Sequence, residues 1–380
     1  MTRVAVPVET RPGERRVALV PDVAARLVSA GLDVAVQSGA GRAAYVADDD
    51  FRTVGAEVVD GDVLRGADVV LCVQAPSMEQ VAGLASGTVL IGLLAPAGQL
   101  PQVRAWRDAR ISAFALELVP RISRAQSMDA LSSQALVAGY QAMLVAAYRL
   151  PRFFPLFMTA AGTVPPASVL VLGAGVAGLQ AIATARRLGA RVAAYDVRAA
   201  SAEEVRSLGA TFVELDLEAL EGAGGYAREM TEERARRQRE LLAPHVAAAD
   251  VLVTTAAVPG RRAPLLVTAE MVAAMRPGSV VVDLAADSGG NVQGSRPGED
   301  VQIGEVTVWG GRNVPSEMPS HASALYARNV ANLLLHMTVD GAVRLDFADE
   351  IIAGCCVTHA GEVRHAPTRA ALQTALEVGG

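Results

Sequence analysis

The sequence predicts an α/β protein of two doubly wound domains joined by long crossover helices. Three observations carry that expectation. A chain of 380 residues exceeds one ordinary domain and suits two. Short β-branched runs alternate with helical stretches in both halves. Long apolar helical stretches stand where the alternation breaks. In the first half, Arg3 to Val8 reads as extended, Pro21 to Ala30 as helical and Asp33 to Gln37 as extended. Val58 and Val59, Asp68 to Val73, Thr88 to Leu94 and Ile111 to Leu116 continue the series. Extended runs separated by helices imply a parallel sheet covered on both faces. Arg121-Ile-Ser-Arg-Ala-Gln-Ser-Met-Asp129 is a polar loop that ends this rhythm. Ala130 to Tyr148 then runs without a charge over the length of a membrane span. Ser132, Ser133, Gln134 and Gln141 within it, and Asp129 and Arg149 at its ends, instead predict a helix buried inside the protein. Pro151, Pro155, Pro165 and Pro166 mark a crossover. A second series follows, with strands near 169–173, 191–195, 211–215, 250–254, 279–283 and 306–309. An amphipathic helix from about Ala322 to Met337, apolar at Leu325, Val330, Leu333, Leu334 and Met337, carries the chain back. The expected domains are therefore 1–131 completed by 322–380, and 132–321.

Composition excludes several chemistries. The 34 basic residues are all arginine, against 40 acidic ones, for a net charge of −6. With no lysine there is no Schiff base, no P-loop lysine and no amine base, because arginine does not give up its proton. An acidic chain with seven Phe, two Trp and six Tyr and no basic block does not suit nucleic acid. Cys72, Cys355 and Cys356 are too few and too badly placed for a disulfide framework or a zinc site, which fits a reducing cytoplasm. His245, His321, His336, His359 and His365 show no metal spacing, so no metal is expected. Met1-Thr-Arg-Val-Ala-Val-Pro starts like a buried strand, not a signal peptide.

The strongest chemical signal is Ser168-Val-Leu-Val-Leu-Gly173-Ala-Gly175-Val176-Ala177-Gly178-Leu, a strand running into G-x-G-x-x-G and a helix. Gly173 permits the tight turn and Gly175 lets a pyrophosphate approach the backbone. Gly178 lets the helix pack on its strand, and the amide-rich N-terminus at Val176 and Ala177 attracts the anion. This context makes the second domain a Rossmann-like dinucleotide-binding unit. The next strand ends at Asp196, followed by Val197 and Arg198. An acid there accepts the ribose hydroxyls and repels a 2′-phosphate, whereas Arg198 could neutralise one; with Asp196 present, NAD is expected. Glu221-Gly-Ala-Gly-Gly-Tyr226-Ala-Arg-Glu-Met230 reads either as a mobile lid or as an idle loop. Glu232/Arg236 and Glu233/Arg237 behind it suggest i,i+4 pairs on a solvated helix.

Four stretches together resemble a known family. They are Val119-Pro-Arg121-Ile-Ser-Arg-Ala-Gln126-Ser-Met-Asp129-Ala-Leu-Ser132, Met158-Thr-Ala-Ala-Gly-Thr-Val-Pro-Pro-Ala, the glycine fingerprint, and Ala223-Gly-Gly-Tyr-Ala-Arg-Glu-Met230. Val282-Asp-Leu-Ala, Gly289-Gly-Asn291 and Asn313-Val-Pro-Ser316 extend the likeness. The chain resembles the NAD(H)-binding α subunits of proton-translocating NAD(P) transhydrogenases, relatives of alanine dehydrogenase. The resemblance implies that NADH bound here passes a hydride to NADP⁺ on a partner β subunit. A transmembrane subunit would couple this to proton movement, and the chain would be a homodimer. No span follows residue 380, so the membrane portion is expected on another chain, with this one held peripherally at the inner face of the cell membrane. The resemblance assigns Arg121, Gln126, Asp129 and Ser132 to the loop holding the dihydronicotinamide. It places Tyr226 and Met230 on a lid and Asn313 near the nicotinamide.

The cousin reading is a solitary NAD-dependent alanine dehydrogenase, which resembles this chain but uses a lysine and a histidine where Gln74 and Leu93 stand. A non-catalytic NAD-binding regulator is a further alternative. Hydride passing directly between two nicotinamides releases no proton at the reacting carbon, so amide, hydroxyl and carboxylate groups suffice. Three positions depart from expectation: Leu93, Glu317 after Asn-Val-Pro-Ser, and Asp287. Arg16 is expected in a structural ion pair, and Asp129 suits a helix N-cap as well as a nucleotide contact.

Overall fold

The computed structural model describes residues 1–216, 232–257 and 260–378. The chain divides into two compact units, Met1–Gln134 with Ser316–Gly380, and Ala135–Pro315.

The first unit holds an eight-stranded sheet. Its spatial order is Glu362–Val363, Cys356–His359, Ser112–Ala115, Val89–Leu93, Val69–Gln74, Arg3–Val6, Asp33–Gln37 and Glu57–Val59. The strands from Ser112–Ala115 to Glu57–Val59 are parallel. Alternating side chains enter opposite cores: Val4, Val6, Val69, Leu71 and Val73 on one face, Ala5, Val70 and Cys72 on the other. A strand buried on both faces must be apolar at every position, which is why these read as continuous runs. The first strand ends at Val6, two residues before the expected Val8; Pro7 follows and has no N–H to donate. Helix Pro319–His336 lays Tyr326, Val330, Leu333 and Leu334 into the first core. It begins three residues before the expected Ala322 because Pro319 suits the first helical position. Cys356–His359 joins the sheet antiparallel to Ser112–Ala115. It is too short to show a periodicity and is not foreseen in the sequence.

The second unit holds a seven-stranded sheet, ordered Thr211–Phe212, Arg191–Tyr195, Ser168–Leu172, Val251–Thr254, Val280–Asp283, Val306–Gly310 and Asp300–Ile303. All neighbours are parallel except the last pair, Val306–Gly310 with Asp300–Ile303. Val169, Val171, Val251, Val253, Val280 and Val282 fill one core, while Leu170, Leu172, Leu252 and Val281 fill the other. From Ser168–Leu172 the chain winds outward one way, then returns to place Val251–Thr254 on the other side. That reversal is a topological switch point, and ligands of such sheets bind outside the carboxyl ends of the strands there.

The uncharged stretch is one helix, Ala130–Arg149. It is the one described helix long and apolar enough to cross a membrane. Ala142, Met143 and Ala146 are nevertheless fully buried in the second unit's core, and the buried Gln134 makes hydrogen bonds. On helix Glu232–Ala248, Arg236 and Arg237 both reach forward to Glu240. This corrects the expected pairing with Glu232 and Glu233.

Candidate dinucleotide site

The glycine turn sits at the switch point. Gly173 leaves the strand at φ +100°, a left-handed conformation that glycine adopts without strain. Its N–H donates to the Tyr195 carbonyl at 2.8 Å. A Cβ on Gly173 would lie 2.6 Å from Thr255 Oγ1, and one on Gly178 would overlap the Gly173 carbonyl oxygen. Both glycines are thus required by the protein's own packing. Gly175 differs: at φ −78° and ψ −169° its backbone suits any residue, and a Cβ there would meet none of the described residues within 4 Å. It is the N-cap of helix Val176–Arg187, whose first N–H groups, those of Val176 and Ala177 included, have no intrahelical acceptor. The open space at Gly175 and these donors fit a pyrophosphate. A residue not singled out in the sequence supports the turn from behind. Gly139 on the long helix faces Ala177, and a Cβ there would overlap the Ala177 carbonyl oxygen.

Asp196 follows the neighbouring strand. Its Oδ2 accepts the Ala174 N–H at 2.7 Å and its Oδ1 the Arg198 N–H at 2.9 Å. The Arg198 guanidinium adds Nε to Oδ1 and Nη2 to Oδ2, each at 2.9 Å. Burial works to raise the carboxyl's pKa, but the Arg198 and Ala174 hydrogen bonds outweigh it and hold Asp196 below the usual carboxylate range. Val197 packs against the adjoining core.

Further along the same strand ends, Asp283 is fully buried. It accepts the Thr254 hydroxyl at 2.9 Å and the N–H groups of Ala285, Asn291 and Val292. Asn291 in turn bridges Ala256 and Pro264. Asn313 adopts φ +43°, and its N–H donates to Asp287 Oδ2 at 2.7 Å. Asp287, a departure in the sequence, therefore fixes the turn that presents Asn313. Tyr226 and Met230 lie outside the described residues. Among the described residues no cluster of three His, Cys, Asp or Glu is placed to hold a metal.

In the first unit the polar loop forms a 3₁₀ turn, Ser123–Met128. Ala125 and Met128 are buried in the core, leaving Arg121 and Gln126 exposed. Asp129 caps the long helix: Oδ1 accepts the Ser132 N–H at 2.9 Å and Oδ2 the Ser132 hydroxyl at 2.6 Å. Helix Pro319–His336 grips the loop through Asn329 and Asn332, whose amides donate to the Ser127 carbonyl at 2.9 and 3.1 Å. Arg124 pairs with Asp349 and Glu350. Burial pushes Asp349 up, yet the Ile351 N–H, His336 and Arg124 outweigh it and hold the carboxyl at about 2.

Arg16 makes the expected ion pair, with Glu14 as its partner. Nη2 meets Oε2 at 2.7 Å and Nε meets Oε1 at 2.8 Å, both side chains being buried. Gln74 donates to the same Glu14 Oε2 at 2.6 Å. Burial works to raise Glu14, but Arg16 above all, then Gln74, outweighs it and holds the carboxyl at about 2. Glu14 is not among the sequence candidates; its signal is the neighbouring Arg15-Arg16 pair in a chain without lysine.

Together these features define a class: a two-unit α/β protein with a dinucleotide-type glycine turn at its switch point. Residues 5–138 match the alanine dehydrogenase/PNT N-terminal domain and residues 142–366 its C-terminal domain. The chain belongs to the alanine dehydrogenase/PNT family. It is 48% identical over 375 residues to the first portion of NAD(P) transhydrogenase subunit alpha from Rhodospirillum rubrum, covering 96% of this chain and 98% of that protein. A solved transhydrogenase structure from Sinorhizobium meliloti superposes with TM-score 0.87 at 44% identity, covering 95% of this chain and 99% of that one. The alanine dehydrogenase of Mycobacterium tuberculosis is 34% identical, over 78% of this chain and 75% of its own length.

Proposed function

We propose that this chain is the NAD(H)-binding, hydride-donating subunit of a proton-translocating NAD(P) transhydrogenase. The observation that carries the reading is Gly175. Nothing among the described residues requires glycine there, and the space beside it suits a ligand. The transhydrogenase relatives and the acid at Asp196 support NADH as that ligand.

Bound NADH supplies the hydride. The N-terminus of helix Val176–Arg187 holds the pyrophosphate, Asp196 with Val197 and Arg198 line the adenosine ribose, and Asn313 serves the nicotinamide end. Arg121, Gln126, Asp129 and Ser132 orient the dihydronicotinamide, and Tyr226 and Met230 belong to the cofactor-binding set. Hydride transfer between two nicotinamide rings needs positioning rather than acid–base chemistry. The solitary amino-acid dehydrogenase is disfavoured because Gln74, standing where that reading needs an amine, is a neutral donor to Glu14.

NADP⁺ would be carried on a β subunit, and a transmembrane subunit would couple transfer to proton movement. These partners would hold the chain at the inner face of the cell membrane. A homodimer is supported by the hairpin Phe157–Thr159 with Gly162–Val164, every residue of which is exposed. Phe153 at 56%, Phe157 at 42% and Met158 at 77% exposure form an apolar patch suited to a second copy. The test mixes the chain with an NADP-binding partner and follows NADH-dependent reduction of an NADP⁺ analogue. Transfer is expected, with no alanine-dependent NADH formation by the chain alone; the opposite pair of results rejects the proposal.

A further inference from the structure

We infer that Asp349 is a positioning residue for hydride transfer, acting through Arg124 to fix the turn that carries Gln126. The inference rests on the transhydrogenase reading, which puts Gln126 at the dihydronicotinamide. Gln126 is exposed, so its place is set by its neighbours in the turn Ser123–Met128. Ala125 and Met128 are buried on either side of it. The following residue is tied down by its backbone, the Ser127 carbonyl accepting the Asn329 and Asn332 amides at 2.9 and 3.1 Å. Two residues before Gln126, Arg124 is tied down by its side chain. Its Nη1 donates to Asp349 Oδ2 at 3.2 Å and its Nη2 to Glu350 Oε1 at 3.1 Å. Gln126 thus lies between two tethers, at 124 and 127.

The tether at Arg124 has a rigid far end. Asp349 is the N-cap of helix Glu350–Cys355, its Oδ1 accepting the Ile351 N–H at 2.7 Å and the Ile352 N–H at 3.4 Å. Ile351, Ile352 and Cys355 are buried in the first core. Oδ2 is left to the cationic side, Arg124 and the His336 Nε2 at 3.3 Å. One oxygen therefore fixes the carboxylate to a helix seated in the core, and the other holds the turn. All these groups belong to the first unit. The Arg124 side chain is 56% exposed, and an ion pair that exposed adds little to stability. Placement is where it acts, since a shift of about 1 Å near the reacting atoms can cost about a hundredfold in rate.

Asp349→Asn keeps an N-cap acceptor and removes only the charge. Arg124→Ala removes the cation from an exposed position, and it carries the test if the asparagine variant does not fold. Transfer from NADH to an NADP⁺ analogue, with an NADP-binding partner present, would be measured on the wild-type chain, both single variants and the double variant. NADH dissociation constants by fluorescence and thermal melts accompany the rates. Each single variant should lower kcat roughly 10- to 100-fold, with NADH affinity nearly unchanged and Tm within about 4 °C of wild type. The double variant should be no slower than the slower single one, and Arg124→Lys should recover part of the rate. Arg52→Ala, which removes the exposed pair with Asp49 elsewhere on the first unit, should transfer like wild type. An unchanged kcat in the single variants, a loss of NADH affinity that matches the loss of rate, or single-variant losses that multiply in the double variant overturns the inference. A wild-type chain that transfers nothing rejects the underlying transhydrogenase reading, and this inference with it.

Discussion

Gly175→Ala separates what the fold requires from what a ligand requires. The backbone at φ −78° and ψ −169° accommodates alanine, and the new methyl meets no atom of the described residues within 4 Å. Alanine is a poorer N-cap than glycine by up to about 1 kcal/mol. Stiffening the unfolded chain returns about 0.4–1 kcal/mol. The net change in stability should stay within about 1 kcal/mol, or about 2–4 °C in Tm for a unit of this size. NADH affinity should suffer far more. A methyl forced against a close-packed pyrophosphate carries the overpacking penalty of about 1–3 kcal/mol, which weakens binding roughly 5- to 150-fold. Gly178→Ala is the counterpart: its Cβ would overlap the Gly173 carbonyl oxygen and lie 3.2 Å from Thr255 Oγ1. It should lower Tm without any ligand present. The assay is a fluorescence titration with NADH beside thermal melts of the ligand-free proteins. A Gly175→Ala protein as destabilised as Gly178→Ala, or one that binds NADH like wild type, refutes the assignment of that space to the cofactor.

Gln126→Asn should leave the NADH dissociation constant nearly unchanged while slowing transfer severely, since the side chain is exposed on a loop anchored by Ala125 and Met128; equal losses in affinity and rate would contradict this. Asp129→Ala removes the acceptor for both Ser132 donors and should lower stability by about 1 kcal/mol, with Asp129→Ser restoring most of it in urea titrations. If the serine variant is no more stable than the alanine variant, capping is not what Asp129 contributes. Stability should also depend on pH with opposite signs in two windows. Glu14 falls from 4.5 to about 2 on folding, so its contribution is present above pH 4.5 and is lost as pH drops toward 2. Glu9 is pushed up to about 7, by burial first and then by Glu14, against the Val73 and Gln74 N–H groups; stability should therefore decline as pH rises from 4.5 through 7. Denaturation midpoints across pH 3 to 8 should show that decline flattened in Glu9→Gln, and a decline of undiminished size would remove Glu9 as its cause.

The elements read correctly from sequence are those whose pattern is dictated by burial. Ser168–Leu172 and Val251–Thr254 are apolar except at Ser168 and Thr254 because both faces are covered, and the helix after Gly175 is announced by its glycines. Asp300–Ile303 and Cys356–His359 are illegible because each mixes polar and apolar side chains over only four positions and joins its sheet by an antiparallel return, leaving neither an apolar run nor a detectable period. Among site residues, a lone glycine in an uncharged helix gives no hint that Gly139 backs the Ala177 carbonyl. Asn329 and Asn332 act through an amide-to-carbonyl contact some 200 residues away in sequence. Such partners follow from topology and leave no local motif.

Two choices that the sequence poses as alternatives share one physical solution. Asp129 could cap a helix or touch a nucleotide, and Asp196 could be weighed against Arg198 as NAD against NADP. In the structure each carboxylate accepts N–H groups from its own neighbourhood: Ser132 for Asp129, Ala174 and Arg198 for Asp196. Those bonds fix the carboxylate's position, and the bonds at Asp196 also keep it ionised. A hydroxyl of a bound ligand must then replace a donor already present, so specificity at Asp196 depends on which donor yields most easily. The partly exposed guanidinium of Arg198 can withdraw by side-chain rotation, whereas the Ala174 N–H is fixed in the backbone of the glycine turn. Arg198 is therefore the donor expected to give way to a ribose hydroxyl, and Arg198→Met should tighten NADH binding or leave it unchanged. A marked loss of NADH affinity in that variant would mean instead that the guanidinium itself holds the cofactor.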